Sequence, residues 1–473
     1  MARFPAARRE VAVATTQAQA GTSGLDRFFK ISERGSKVGT EVRAGVTTFL
    51  AMAYILIVNP LILSNAIDLP DAVPQLVTVT ALAAAFGTLL MGLWANLPFA
   101  LAPGMGLNAY FTFTVVLTLG IPWQTALGAV FLSGILFLVI SLTGIREWII
   151  NAIPLPLKYA ITAGIGAFLA IIGFSGAGFI RADAATLVTV GDFSGWGPWL
   201  ALGGLVLTGA LLALRVKGAI LIGILGVTVV AIISGAPVYP AAEGLGPFGG
   251  FGDGIVGFTW PGELIGALDI GAALGLGVVA VVFTFLFVDF FDTAGTLIGL
   301  TDKAGMLDDE GNIAAPRAAF SSDAAATAVG AALGTSSTTT YIESAAGVED
   351  GGRTGLTAVT VAVLFLLGSV FSPLAQAVPG VATSAALIVI GAMMMTGAAK
   401  VDWTDYRIAI PAFLAIVGMP FSYSITFGIG LGIVAYTLLN AVSGRIREVH
   451  PVMWVLSVLV VLLEAGLIDR WFG

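Results

Sequence analysis

Between residues 40 and 442 the chain is an almost unbroken series of apolar runs separated by short polar or Gly/Pro-rich connections. A bilayer core about 30 Å thick is crossed by roughly 20 helical residues. Backbone inside lipid must satisfy its own hydrogen bonds, so a chain built this way is confined to a bundle of helices. The runs fall at roughly 40–63, 75–95, 103–118, 122–143, 157–178, 197–214 and 218–234. After a Gly/Pro-rich stretch, 235–262, a second series of seven follows at roughly 270–300, 315–333, 342–350, 355–372, 380–398, 404–420 and 421–442. Composition supports this: 58% hydrophobic residues, 10% charged and a mean hydropathy of +0.99 exclude a soluble domain. The net charge of −7 sits in connections, so it does not argue for a nucleic-acid partner, and zero cysteines exclude disulfides and thiolate metal sites. No cofactor and no metal site are expected.

The count of fourteen can be tested by charge. Placing the N-terminus inside and alternating sides puts 19 of the 21 Lys and Arg residues in cytoplasmic connections, with Arg181 outside and Arg470 unassigned. The reading is therefore a multi-pass protein of the cell membrane. Residues 1–38 form a cytoplasmic tail, 39–234 a first repeat, 235–265 an external loop and 266–443 a second repeat, followed by a C-terminal interfacial segment, 444–473. The stretch Leu25 to Lys37 either lies along the inner membrane surface or is a solvated lead-in. The apolar run Val452 to Leu463 is too short to span comfortably and reads as interfacial or re-entrant.

Seven runs per half mean that the second half enters from the opposite face, which is an inverted repeat. The third run of each half is abnormal. PFALAPGMGLNAYF (Pro98 to Phe111) and ALGTSSTTTYIESAAG (Ala332 to Gly347) each begin with a helix-poor, extended piece and continue into a short helix. Corresponding broken segments point to a carrier's binding site. Pro103 suits the first turn of the first half-helix, and both half-helices are expected to present free N–H groups, the second near Glu343.

Acids stand beside these breaks. Asp289 and Asp292 are three residues apart inside one long apolar run, hence on one helical face. An aspartate at the centre of a membrane helix costs at least about 2.5–3.5 kcal/mol, so such residues are functional-site candidates. Glu343 is their expected counterpart. No Lys or Arg lies away from the ends of a run to neutralise them, and a carboxylate held in lipid without a cation favours its protonated form. Glu343, Asp292 and Asp289 are thus the candidate proton-coupling residues.

Four motifs in order, TTFLAMAYILIVNP (Thr47 to Pro60), APGMGLNAYF (Ala102 to Phe111), DFFDTAGTL (Asp289 to Leu297) and TTTYIESAAGVEDGGRTGLTAV (Thr338 to Val359), resemble the AzgA-like adenine/guanine/hypoxanthine permeases of the nucleobase:cation symporter-2 family. The resemblance implies an all-α polytopic membrane protein of fourteen segments in two inverted repeats of seven. Segments 1–4 and 8–11 would form a substrate-carrying core and segments 5–7 and 12–14 a gate, with short extended pieces in segments 3 and 10. It implies uptake of purine bases by proton symport with elevator-like alternating access, and no enzymatic activity. By motif, Asp292 and Glu343 match the acids of segments 8 and 10, and Asp289 and Asn108 match polar positions of the purine branch. A carboxylate suits a purine because it accepts from adjacent ring and exocyclic N–H groups at once. The candidate substrate site is therefore Asp292, Glu343, Asp289, Asn108, Ala102, Gly104, Thr340, Phe290 and Tyr341, with Phe291, Tyr110 and Phe111 as further aromatic candidates. Partners are the base, H⁺ and the bilayer, and the resemblance allows a homodimer through the gate. Alternatives are a uracil or xanthine carrier, Na⁺ coupling, or an anion transporter of the same fold.

Asp323 is expected near the inner end of segment 9, paired with Arg317. Asp308, Asp309 and Glu310 read as a solvated turn, Gly244 to Gly257 as a loop, and His450 as a poor proton relay.

Overall fold

A computed structural model describes residues 24–143, 153–238, 256–307, 313 and 315–464. The expectations for residues 1–23, Arg146, Asp308, Asp309, Glu310, most of Gly244 to Gly257 and 465–473 lie outside these residues. Among the described residues, eight helices are long and apolar enough to cross a membrane: Val38–Leu63, Ala72–Leu93, Trp123–Leu142, Leu155–Gly176, Trp196–Ala213, Val278–Lys303, Gly380–Lys400 and Ile425–Val442. They correspond to segments 1, 2, 4, 5, 6, 8, 12 and 14. Shorter apolar helices stand at segments 3 (Met105–Thr118), 7 (Ala219–Ser234), 11 (Gly355–Gly368) and 13 (Tyr406–Ser422). Segment 9 is Pro316–Leu333, rich in alanine and small polar residues, and the helix of segment 10 is Ser344–Glu349.

The two broken segments meet. Strand β1 (Leu101–Pro103) pairs antiparallel with β4 (Thr338–Thr340), in the register Leu101↔Thr340, Ala102↔Thr339 and Pro103↔Thr338. Extended backbone deep in a membrane protein is tolerated only where protein satisfies it. Here the ribbon ends are closed by Gly104 N–H on the Ser337 carbonyl at 2.8 Å and Tyr341 N–H on the Ala100 carbonyl at 2.9 Å. Thr88 of segment 2 both accepts from the Leu101 N–H and donates to its carbonyl. Pro103 is the last strand residue rather than a helix residue, and Gly104 caps the helix that begins at Met105. From Tyr110 to Thr118 that helix widens into π geometry. A second ribbon, β2 (Ile180–Asp183) with β3 (Leu187–Val190), joins segments 5 and 6. The apolar-run reading gave no sign of it, because its sequence is short and polar at the turn, where Asp183 accepts from the Ala185 and Thr186 N–H groups.

Packing sorts the helices into two groups. Segments 1, 2, 4, 8, 9, 10 and 11 pack on one another around the β1–β4 ribbon, and segments 5, 6, 7, 12, 13 and 14 pack among themselves. Small residues allow the close approaches. An added Cβ at Gly355 would lie 1.9 Å from the Gly92 carbonyl oxygen, so segments 2 and 11 touch through backbone. Between the groups, a Cβ at Gly106 would lie 2.4 Å from the Ile165 side chain. Polar ties also cross: Thr114 donates to the Tyr423 carbonyl at 2.8 Å, and Thr426 reaches the Tyr110 hydroxyl at 2.9 Å. At one end, Lys217 pairs with Asp350, which also accepts from Thr47 at 2.5 Å.

The stretch 24–37 is neither purely interfacial nor solvated. Phe29 and Ile31 are buried against Leu356, Arg34 donates to the Asn96 and Arg353 carbonyls, and Leu25 and Phe28 remain exposed on the other side. The helix Pro451–Glu464 runs back along segment 14, with Ser457 bonded to Thr437 at 2.9 Å and Gly430 against Val460. It belongs to the bundle rather than lying as a separate surface segment.

Two outcomes are expected. Gly355→Ala forces a side chain into backbone on the facing helix and should lower the melting temperature in detergent, at a cost of about 1–3 kcal/mol, whereas Gly209→Ala, with nothing within 4 Å, should not. The Asp350 carboxyl is held below its usual value by hydrogen bonds from Lys217 and Thr47. A lowered value in the folded state stabilises above the unfolded value and is lost as pH falls through the folded one. The stability gap between the wild type and Asp350→Asn should therefore be constant from neutral pH to about 4 and shrink below that.

Candidate functional site

Segment 8 delivers Asp289, Asp292 and Thr293 to one face, spaced by one helical turn. That face meets β4 and segment 9. Asp289 is 1% exposed and Asp323 of segment 9 is 0% exposed, whereas Asp292 and Glu343 are only half-buried. The four acids thus fall into a sealed pair and an accessible pair.

The sealed pair is embedded in threonines. Asp323 accepts from Thr293 at 2.5 Å on one oxygen and from Thr340 at 2.7 Å on the other, and Thr293 also meets the Thr339 hydroxyl at 2.9 Å. Asp289 accepts from Thr327 at 2.7 Å on Oδ2, while its Oδ1 has no partner among the described residues. The expected pairing of Asp323 with Arg317 is wrong. Arg317 is exposed one and a half turns earlier, and the small residues of segment 9 let Asp323 face the ribbon instead. Sequence reasoning missed Asp323 because it sits in an Ala/Ser-rich helix of modest hydropathy, where an acid looks inexpensive. The signal was its company, SSDAAAT, a polar face at helical spacing.

The accessible pair is different. Asp292 accepts no hydrogen bond from the described residues, and Glu343 is its first electrostatic neighbour. Glu343 stands at the start of the segment 10 helix and accepts from the Tyr54 hydroxyl at 2.6 Å. Tyr54 lies where segment 1 breaks between Met52 and Ile55, a second residue the sequence reading did not single out. A tyrosine in a mid-membrane helix break was the available clue. Asn59, one turn further, ties segment 1 to Thr80 at 2.8 Å and Thr335 at 3.1 Å.

The half-helices are not equivalent. In segment 10 the N–H groups of Ser344, Ala345 and Ala346 are used by the carbonyls of Tyr341, Ile342 and Glu343, so the expected free donors are absent there. In segment 3 the first-turn amides of Met105, Gly106 and Leu107 find no acceptor among the described residues.

Among the other sequence candidates, Ala102 and Gly104 form the ribbon, and Thr340 is committed to Asp323. Asn108 is fully buried, accepts from Ser336 and reaches the Pro103 carbonyl at 3.4 Å, so it clamps the segment 3 helix onto the ribbon. The Tyr341 hydroxyl donates to the same carbonyl at 2.5 Å. Phe290 does not join the acids: it packs on Phe137 and Phe320 between segments 4 and 9. Phe291 turns toward segment 5, where Lys158 lies 5.7 Å from its ring, and Tyr110 stacks edgewise on Phe285. Phe111 is core. His450 accepts from the Val452 N–H at the start of the last helix, away from the acids. A cleft of about 1250 Å³ lies between the two helix groups at the 64–74 and 376–384 connections, and none of the four acids lines it.

Two helix groups, two broken segments crossing as strands, and beside the crossing carboxylates with no ion pair among the described residues are the parts of a membrane carrier. Residues 39–432 match the permease family, Xan_ur_permease. The chain belongs to this family and within it to the nucleobase:cation symporters-2. It is 46% identical to a putative permease, MJ0326, of Methanocaldococcus jannaschii (92% of this chain, 97% of that one). It is 42% identical to the adenine permease AdeP of Escherichia coli (95% and 97%) and 43% identical to the guanine/hypoxanthine permease PbuO of Bacillus subtilis (91% and 98%). In fold it is similar to the transmembrane domain of the cyanobacterium bicarbonate transporter BicA, with a TM-score of 0.60 at 13% identity over 83% of this chain and 97% of that one.

The difference between the two acid pairs has a measurable consequence. Asp323→Asn removes an acceptor from two buried hydroxyls and should lower the detergent melting point, by roughly 1–3 kcal/mol. Asp292→Asn removes a charge that no side chain supports and should leave the melting point unchanged or raise it.

Proposed function

We propose that the chain is a secondary active carrier that imports purine nucleobases by proton symport, with the N-terminus in the cytoplasm of a cell-membrane protein. The observation that carries this reading is the accessible pair Asp292 and Glu343, two carboxylates at the strand crossing with no cationic partner among the described residues. A neutral purine offers adjacent N–H donors that such acceptors bind strongly. The free first-turn amides of segment 3 add donors for ring nitrogens and carbonyls. The relatives named for adenine and for guanine/hypoxanthine support the same substrate class. An anion carrier of this fold would want positive charge at the crossing, and four acids stand there instead.

In this reading segments 1–4 and 8–11 form the core that carries the site, and segments 5–7 and 12–14 form the gate. The fourteen crossings divide into two inverted repeats, 39–234 and 266–443. Residues 1–38 form the cytoplasmic tail and 235–265 the external loop between the repeats. The core slides past the gate at surfaces such as Gly106 against Ile165, where a small residue gives little to interlock. The gate also offers the face for a homodimer.

The test is uptake of radiolabelled adenine, guanine, hypoxanthine, xanthine and uracil into proteoliposomes under an imposed pH gradient. Purine uptake is expected, with Asp292→Asn and Glu343→Gln each weakening apparent affinity by about ten- to a hundredfold, the scale of a lost charge-assisted hydrogen bond. Tyr54→Phe should raise KM by a few-fold through loss of Glu343's donor. Uptake of uracil or xanthine alone would overturn the substrate class, and Na⁺-driven uptake without a proton requirement would overturn the coupling.

A further inference from the structure

The hydrogen bonds around Asp289 hold one more acceptor than they have hydrogens. The Thr327 hydroxyl lies 2.7 Å from Asp289 Oδ2 and 3.0 Å from the Thr338 carbonyl oxygen, yet it carries one hydrogen. With Asp289 ionised, Thr327 must donate to it and abandon the carbonyl. Pro103, which faces Thr338 across the ribbon, has no N–H to offer in its place. With Asp289 protonated, its O–H donates to Thr327, Thr327 donates to the carbonyl, and only a carbonyl-type oxygen, Oδ1, stays unpaired. Asp323 has no such deficit, since each of its oxygens has a hydroxyl donor. Every group in the cluster is sealed from solvent: Asp289 at 1% exposure, and Thr293, Asp323, Thr327 and Thr338 at 0%.

We propose that Asp289 is the residue that carries the coupled proton, and that Thr327 with the Thr338 carbonyl forms a one-hydrogen relay reporting its protonation to β4 and thereby to Glu343. Asp323 is the fixed anion that anchors β4 through Thr340, and Asp292 and Glu343 are left to hold the substrate. The charged groups facing Asp289 are Asp323 from segment 9 and Asp292 from its own helix. Segment 4 and β4 carry no titratable residue, Arg317 of segment 9 is exposed, and Lys158 of segment 5 lies against Phe291. Protonation of Asp289 therefore relieves repulsion on both sides and completes the hydrogen-bond chain. Loss of the proton pulls Thr327 off the carbonyl of a strand that ends three residues before Glu343.

This assignment rests on the proton-coupled reading above, so its test includes a measurement independent of transport. Infrared spectra of the wild type in liposomes should show the C=O stretch of a buried protonated carboxyl at neutral pH, lost in Asp289→Asn and kept in Asp323→Asn. In proteoliposomes Asp289→Asn should lose accumulation driven by a pH gradient while counterflow exchange of base remains detectable. Thr327→Val removes the one donor to the ionised acid among the described residues. The alkaline limb of the uptake profile should then move up by about one pH unit, with Thr327→Ser restoring it. The threonine variants keep the proposal testable if Asp289→Asn does not fold. A band that survives Asp289→Asn, or accumulation that stays proton-driven in it, would overturn the assignment. An unmoved profile in Thr327→Val would overturn the relay. A band lost in Asp289→Asn together with no purine uptake by the wild type would instead overturn the proposed function, and with it the coupling role, while leaving Asp289 as the protonated acid of the cluster.

Discussion

Four carboxylates share the centre of this membrane protein, and among the described residues no lysine, arginine or histidine forms an ion pair with them. In a medium of low dielectric an unpaired charge is costly, and the cost is met by hydrogen bonding or by protonation. The surrounding architecture follows from that demand. The hydroxyls of Thr293, Thr327 and Thr340 bind Asp289 and Asp323, with Thr339 on Thr293, and the face of segment 9 is kept small enough for a two-stranded ribbon to approach. Segment 9 reads as weakly apolar for this reason: its alanines and serines provide room for β4, and the nearby acid takes up the polar capacity of the strand.

The ribbon depends on the same economy of space. Backbone at mid-membrane needs partners on both edges, and β1 and β4 supply one edge to each other. The remaining groups are closed by side chains: Thr88 on Leu101, Ser344 on the Ala100 N–H, Tyr341 and Asn108 on the Pro103 carbonyl. Residues that look like ligand contacts in the sequence, Asn108 and Tyr341 among them, are thereby committed to holding the crossing together. What remains unengaged is narrower: Asp292, one face of Glu343 and the first-turn amides of segment 3. A site with so few free groups recognises its ligand by where these groups stand, and their positions are fixed by the ribbon.

Much of this was legible beforehand. Fourteen apolar runs, the parity of the basic residues and two broken segments in corresponding places indicated a helical membrane protein with two interior interruptions; that the two cross as paired strands was not foreseen. Asp289, Asp292 and Glu343 were visible because charge inside an apolar run is rare. Asp323 was read as an ordinary paired acid because its run is not strongly apolar, and Tyr54 was passed over because a tyrosine in a membrane helix is ordinary until its hydroxyl is seen against Glu343. Phe290 failed for the opposite reason. Its neighbours in sequence are the acids, but one residue along a helix turns the side chain by about 100°, into Phe137 and Phe320.

The sequence by itself determined the class of solvent, the helical character, the places where helices break and the identity of the costly charges, because each depends on local composition or on the price of a group in lipid. The tertiary structure alone decided which charges are sealed and which are open, which threonine serves which acid, and that one half-helix spends its amides while the other keeps them. Those outcomes depend on which faces of distant segments meet, and hydrogen bonds that close across some tens to hundreds of residues leave no periodic trace in the chain.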